Sequence, residues 1–222
     1  MACRINPLAR RVLEALSTRP ESGEIVLGGY FALQRFLDYR TTHDIDAWWR
    51  TRASHAAEDA IREAMRSVAA GEGYELRERR FGDTVSFELS REGKKRFSFQ
   101  IAVRSVELDP PLASEWPPIL IETLRDNLGA KMNALVDRGA PRDFVDVRRV
   151  VEAGLTSAEE CWKLWSRKNP VSSVDSAKEK VLHHLTVLSL RRPLEGISDP
   201  GERSAAASTR NWFRRDFLGR TE

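Results

Sequence analysis

The sequence predicts an α+β protein, with an N-terminal α/β unit built on a mixed sheet and a C-terminal bundle of helices. Three observations carry that expectation. Between Tyr74 and Val103, apolar and polar residues alternate in short runs, the pattern of a half-buried antiparallel meander. After Ile119, apolar residues recur at helical spacing for most of the remaining chain. Between the two blocks stand Asp109-Pro110-Pro111 and Trp116-Pro117-Pro118, whose prolines make a rigid connector. The expected division is residues 1–112 for the α/β core and 113–222 for a helical domain that completes a cleft.

The elements follow in order. Residues 6–18 read as a helix, with Leu8, Val12, Leu13 and Leu16 on one face and Asn6-Pro7 as its start. Residues 24–27 read as a short strand halted by Gly28-Gly29, and a second helix carries Phe31, Leu33, Phe36 and Leu37. Residues 45–49 read as a strand, and 54–69 as an alanine-rich helix closed by Gly71. The meander comprises 74–81, 84–90 and 96–103, joined by turns at Gly82-Asp83 and Arg91-Glu92-Gly93. Helices are expected over 119–137, 141–153, 157–167, 174–190 and 208–217.

Bulk composition narrows the function classes. The chain has 222 residues, 41% hydrophobic and 31% charged, which is an ordinary globular balance and excludes a disordered chain. No apolar run is long enough to span a bilayer, and the arginines near the N-terminus precede no apolar signal core, so a cytoplasmic protein is expected. The two cysteines, Cys3 in an expected mobile terminus and Cys161, sit in no CxxC or Cys/His cluster, which argues against structural zinc and a disulfide framework. The net charge of +3 matches the tail alone: five arginines from Arg203 onward against Asp216 and Glu222. That tail carries Trp212, Phe213 and Phe217, so it reads either as an amphipathic last helix packing its aromatics inward or as a surface touching nucleic acid.

Four constellations bear on chemistry. Asp44 and Asp46 are two apart on a predicted strand, so both point to one face. Carboxylates that close repel unless a cation lies between them, and a divalent metal with oxygen ligands is the natural one. Trp48 shares their face, where it either stacks on a base or caps the core. Gly28-Gly29 follows a strand and opens a helix, where a phosphate can approach the backbone; a plain turn explains the pair equally. Lys131 falls inside the apolar arc of its helix, where it must pair, snorkel or meet an anionic ligand. In Pro141-Arg142-Asp143-Phe144-Val145-Asp146 the acids suit the positive end of a helix, and Asp143 shares a face with Phe144 and Val147, so it also points inward to pair with Lys131 or orient a site.

In this order the pieces resemble one family. Leu27-Gly28-Gly29-Tyr30-Phe31-Ala32-Leu33 with Tyr39-Arg40-Thr41-Thr42-His43-Asp44-Ile45-Asp46 is similar to the opening of AbiEii/AbiGii-type nucleotidyltransferases, within the DNA polymerase β-like superfamily. Glu122-Thr123, Ala130-Lys131-Met132-Asn133-Ala134-Leu135, Asp137-Arg138-Gly139 and Arg142-Asp143-Phe144-Val145-Asp146 resemble that family's later segment. The likeness covers roughly residues 25–151. It implies a polymerase β-like nucleotidyltransferase core with Asp44 and Asp46 holding Mg²⁺ or Mn²⁺. Gly28, Gly29, Tyr30, Thr42, Lys131 and Arg142 would meet the nucleotide, and Asp143 would be a further active-site carboxylate. The activity implied is transfer of a nucleotidyl group from an NTP to an RNA, possibly a tRNA, or to a protein. The setting implied is a bacterial toxin–antitoxin or phage-defence system with a cognate antitoxin.

The chain departs from that pattern in two places. Tyr30 follows the glycines where the family often has Ser or Thr. On the later strand, Phe99-Gln100-Ile101-Ala102-Val103 puts Ala102 where a third carboxylate is expected; Gln100 is neutral, and Glu88 on the neighbouring strand is the substitute on the same face. The alternative reading is therefore a weakened pseudo-nucleotidyltransferase that binds nucleotide, RNA or a partner.

Overall fold

The structure, a computed structural model, describes residues 5–104 and 106–219. Cys3 lies outside the described residues. The chain divides into two compact units, Met1–Asn127 and Leu128–Glu222.

The first unit is a mixed seven-stranded sheet with helices on one face. Helix α1 (Pro7–Ser17) begins where Asn6 Oδ1 accepts the Leu8 N–H at 2.9 Å, satisfying one orphan donor of the first turn. Strand β1 (Ile25–Leu27) leads into α2 (Gly29–Leu33), and β2 (Asp44–Trp49) follows. Helix α3 (His55–Glu72) ends at Gly73 in the left-handed conformation. Gly71, the expected stop, lies inside the helix, because the alanine-rich face stays packed for one more half turn. The meander is β3 (Glu75–Phe81), β4 (Thr84–Arg91) and β5 (Lys94–Ala102), with the turn tightened to Glu92-Gly93, both at positive φ.

Strands β6 (Leu112–Ala113) and β7 (Leu120–Ile121) sit in the segment expected to be connector and helix. They complete the sheet order β3-β4-β5-β2-β1-β7-β6, so the segment after residue 112 extends the first unit. β2 runs antiparallel to β1 and parallel to β5, while β1 and β7 are parallel. Ile45, Ala47, Trp49, Phe87, Leu89, Phe97, Phe99 and Ile101 point to the helix-covered face and are buried with Val12, Leu13, Leu16, Ile61 and Met65. The alternate residues of β2, β4 and β5 line the opposite face. β3 is an edge strand and mostly exposed.

Helix α4 (Leu124–Asp137) starts five residues later than expected, because Leu120 and Ile121 pair with β1. Helices α5 (Pro141–Glu152), α6 (Ala158–Lys168), α7 (Val174–Arg191) and α8 (Pro200–Trp212) follow, and α8 runs into a π-helical turn, Phe213–Phe217. α8 begins eight residues before the expected tail helix; Asp199 caps it by accepting the Glu202 N–H at 2.7 Å. In the second unit, Phe213 and Phe217 pack with Phe144, Trp162 and Trp165 in one buried cluster, so these tail aromatics are core. Cys161 lies in that core, and burial pushes its thiol up to about 12, which makes it inert.

Phe87 is fully enclosed between the sheet and its helices. Phe87→Ala is expected to cost about 3–5 kcal/mol in urea unfolding. A loss under about 1 kcal/mol would show that this face of the sheet is not the principal core.

Candidate active site

The site begins with the alternation of β2. Asp44, Asp46 and Trp48 are half-buried and share one face, while Ile45, Ala47 and Trp49 are buried on the other. The Gly28 N–H donates to the Asp46 carbonyl at 2.8 Å, which extends the β1–β2 pairing into the glycine pair. Gly29 then adopts φ +59°, and a Cβ there would overlap the Asp46 carboxylate. A Cβ on Gly28 would collide with the Trp48 indole nitrogen and, at 2.8 Å, with the Glu122 carboxylate. The glycines are thus what lets Asp46 lie against the start of α2. Gly28 spends its N–H on β2, so the orphan donors of this helix start begin with Gly29.

On the meander side, Ser98 is the register partner of Asp44, and its hydroxyl donates to Asp44 Oδ1 at 3.1 Å. The Lys95 ammonium lies 3.1 Å from the same oxygen. Gln100, exposed, stands directly beside Asp46, and Ala102 stands beside Trp48. The position next to the carboxylate pair is therefore held by an amide, one step earlier in register than Ala102. Glu88 lies in the row Glu88, Ser98, Asp44, with all of β5 between it and Asp44. Two strand spacings put it about 10 Å away at the backbone.

On the other side of β1, sequence reasoning missed a buried polar cluster. Glu122 is 1% exposed, and its Oε2 accepts the Asn127 side-chain N–H at 3.0 Å. The same Asn127 nitrogen donates to the Gly29 carbonyl at 2.8 Å, so it ties the glycine turn to Glu122. Arg104 lies 2.8 Å from Asp126 and 3.8 Å from Glu122. Asp126 in turn accepts the backbone N–H groups of Leu108 and Asp109. Apart from Glu122, which stands in the motifs that carry the resemblance, only the acid at a helix start and an arginine just past a strand hinted at this in sequence, and both are common.

Tyr30 faces inward. Its hydroxyl accepts the N–H groups of Tyr39 and Arg40 at 3.1 and 2.9 Å, and the Arg40 guanidinium stacks on its ring at 3.6 Å. Burial raises its pKa despite those two donors. Tyr30 therefore anchors the loop that leads into β2. Thr42 Oγ1 lies 3.3 Å from the Asp44 backbone N–H and holds the entry to the strand.

The second unit carries the remaining sequence-predicted residues. Lys131 is buried, and its ammonium donates to Asp146 Oδ2 at 2.7 Å. The expected partner, Asp143, is instead gripped by Arg138 through two hydrogen bonds of 2.8 and 3.0 Å. The reason is helical: Asp146 is three residues further along α5, on the turn that reaches Lys131. Arg142 is exposed in the first turn of α5.

Among the described residues no group of three or more His, Cys, Asp or Glu side chains converges as a metal site. The Asp44–Asp46 pair still fits Mg²⁺, which binds through one or two carboxylates and completes its shell with water and substrate phosphates. The Lys95 ammonium on Asp44 shows that this carboxylate already draws a cation.

A family model described as "Nucleotidyl transferase AbiEii toxin, Type IV TA system" matches residues 11–204. A crystal structure of a candidate nucleotidyltransferase from H. pylori is similar with a TM-score of 0.50, at 14% identity over 95% of this chain and 93% of that one. At that identity the likeness shows the fold. No curated protein sequence matches the chain. Among the described residues no helix is long and apolar enough to cross a membrane.

Two expectations follow from the geometry. Gly29→Ala should lose at least about 1 kcal/mol in thermal melting, from positive φ alone, and more from the overlap with Asp46; an unchanged melt would contradict that packing. Lys131→Met and Asp146→Leu should each cost about 3–5 kcal/mol singly, while the double variant recovers most of the loss. Additive losses would mean that the two residues do not act as a pair.

Proposed function

We propose that this chain, which belongs to the AbiEii family of nucleotidyl transferase toxins, moves a nucleotidyl group from an NTP to an RNA hydroxyl in a metal-dependent reaction. The observation that carries the reading is Asp44 and Asp46 side by side on β2, with Asp46 against the Gly28-Gly29 turn. A pair of half-exposed carboxylates beside a backbone that accepts no side chain is suited to a metal-bound triphosphate.

In this reading Asp44 and Asp46 hold Mg²⁺ or Mn²⁺, which when bound supplies charge neutralisation to the triphosphate and the attacking oxygen. The orphan N–H groups at the start of α2 receive phosphate oxygens. Asn127 and Glu122 keep the Gly29 carbonyl turned away from the phosphates. The acceptor hydroxyl attacks the α-phosphorus, a new O–P bond forms, and the bond to pyrophosphate breaks. The hydroxyl proton leaves to solvent over the open face at Gln100, since Ala102 stands where the resemblance leads one to expect a carboxylate. The family resemblance implies that Lys131 and Arg142 meet the nucleotide and that Asp143 is a further active-site carboxylate. A cognate antitoxin is the partner class that the family implies, and tRNA is the first acceptor to try.

Gln100 beside Asp46 favours a second reading, a protein that binds NTP and metal without transfer. One experiment separates the two: purified protein is incubated with each α-³²P-NTP, Mg²⁺ and total bacterial RNA. Transfer predicts labelled RNA, reduced at least about 10²-fold in Asp46→Asn, the scale of losing several kcal/mol of charge stabilisation. Metal-dependent NTP binding with no label in RNA or protein would establish the second reading, and label unaffected by Asp46→Asn would remove the assignment.

A further inference from the structure

From the charge and register of the meander we infer that the β4–β5 hairpin is the surface that grips the acceptor, a single-stranded RNA 3′ end; this rests on the transferase reading above. Four cations lie within six residues of its tip, Arg91, Lys94, Lys95 and Arg96, against the single acid Glu92. All are exposed. Among the described residues no carboxylate lies within ion-pair distance of Arg91, Lys94 or Arg96. A solvated charge run would be unremarkable on a remote turn, but this hairpin abuts the carboxylate pair. Lys95 reaches Asp44 Oδ1 at 3.1 Å, and Ser98 of the same strand donates to that oxygen.

The spacing suits a polynucleotide. Asp44 is in register with Ser98, and Arg96 is the extra residue of a bulge in the β4–β5 ladder, which turns Lys95 onto the Asp44 face. At about 3.3 Å per strand residue, the backbones of Arg96 and Lys94 lie within roughly 7 and 13 Å of the Ser98 row. A nucleic-acid strand advances about 3.4 Å per phosphate in helical form and more when extended. An acceptor with its terminal hydroxyl at Asp44 and Asp46 thus brings its next few phosphates over the hairpin. Further out, Arg79 stands opposite Ser86 on the edge strand and continues the same face. Contacts to phosphates alone carry no base identity, so the grip is expected to be sequence-tolerant.

The test uses the full chain and a 5′-fluorescein 12-nucleotide single-stranded RNA, read by anisotropy without NTP or metal. Arg91→Glu/Lys94→Glu/Arg96→Glu is compared with Arg10→Glu/Arg52→Glu/Arg66→Glu, placed elsewhere on the first unit. Each reverses three cations, so each takes the net charge from +3 to −3. The hairpin variant should bind at least about tenfold more weakly than the control variant, with a salt slope shallower by about 2 than wild type, for three lost contacts. Equal binding by the two variants, or no binding by wild type, overturns the proposal, and so does displacement of the RNA by poly-glutamate at equal charge concentration, which would indicate an acidic protein partner. If the triple variant fails to melt cooperatively, Lys94→Ser/Arg96→Ser gives the same reading. Because binding is measured apart from chemistry, its failure leaves the Asp46→Asn result standing, and loss of transfer leaves the binding result standing.

Discussion

Everything at the candidate site depends on one close approach, the Asp46 carboxylate lying against the Gly28-Gly29 backbone. No residue with a Cβ can occupy either position without moving Asp46, Trp48 or Glu122. The turn is held from both sides. β2 takes the Gly28 N–H, and Asn127 takes the Gly29 carbonyl. Two carboxylates on one face of a strand repel each other, and here the fixed backbone and the Lys95 ammonium offset that repulsion.

Much of this was legible in the sequence. The pairing of Asp44 with Asp46 follows from the two-residue period of a strand, and the buried residues of β2, β4 and β5 follow from the same alternation. The glycine pair between a strand and a helix was legible as a close approach, although not that its neighbour would be Asp46. What escaped were features set by tertiary context. β6 and β7 are two residues each, too short to show any period, and their neighbouring prolines read as pure connector. The choice of Asp146 over Asp143 as the partner of Lys131 is a matter of one helical turn, which composition does not settle.

The missing third carboxylate looks different once the register is known. The residue beside Asp46 is Gln100, and Ala102 is its neighbour along the strand, opposite Trp48. Glu122 is an acid near the glycine turn, but it is engaged by Asn127 and lies near Arg104, which suits holding the backbone better than accepting a proton. The nearest acid on the next strand, Glu88, is separated from Asp44 by the whole of β5. The open face of the sheet is thus polar but uncharged next to Asp46, and basic at the hairpin tip.

The two rims of the sheet have a consequence for behaviour at high concentration. An unpaired strand edge is a template on which another molecule's strand can assemble. β3, at one rim, reads Glu-Leu-Arg-Glu-Arg-Arg-Phe, with charges on both faces; an incoming strand would have to desolvate them. β6, at the other rim, offers two residues just after Pro110-Pro111, too little ladder to seed growth. A sheet ended in this way offers another molecule's strand little to pair with at either border.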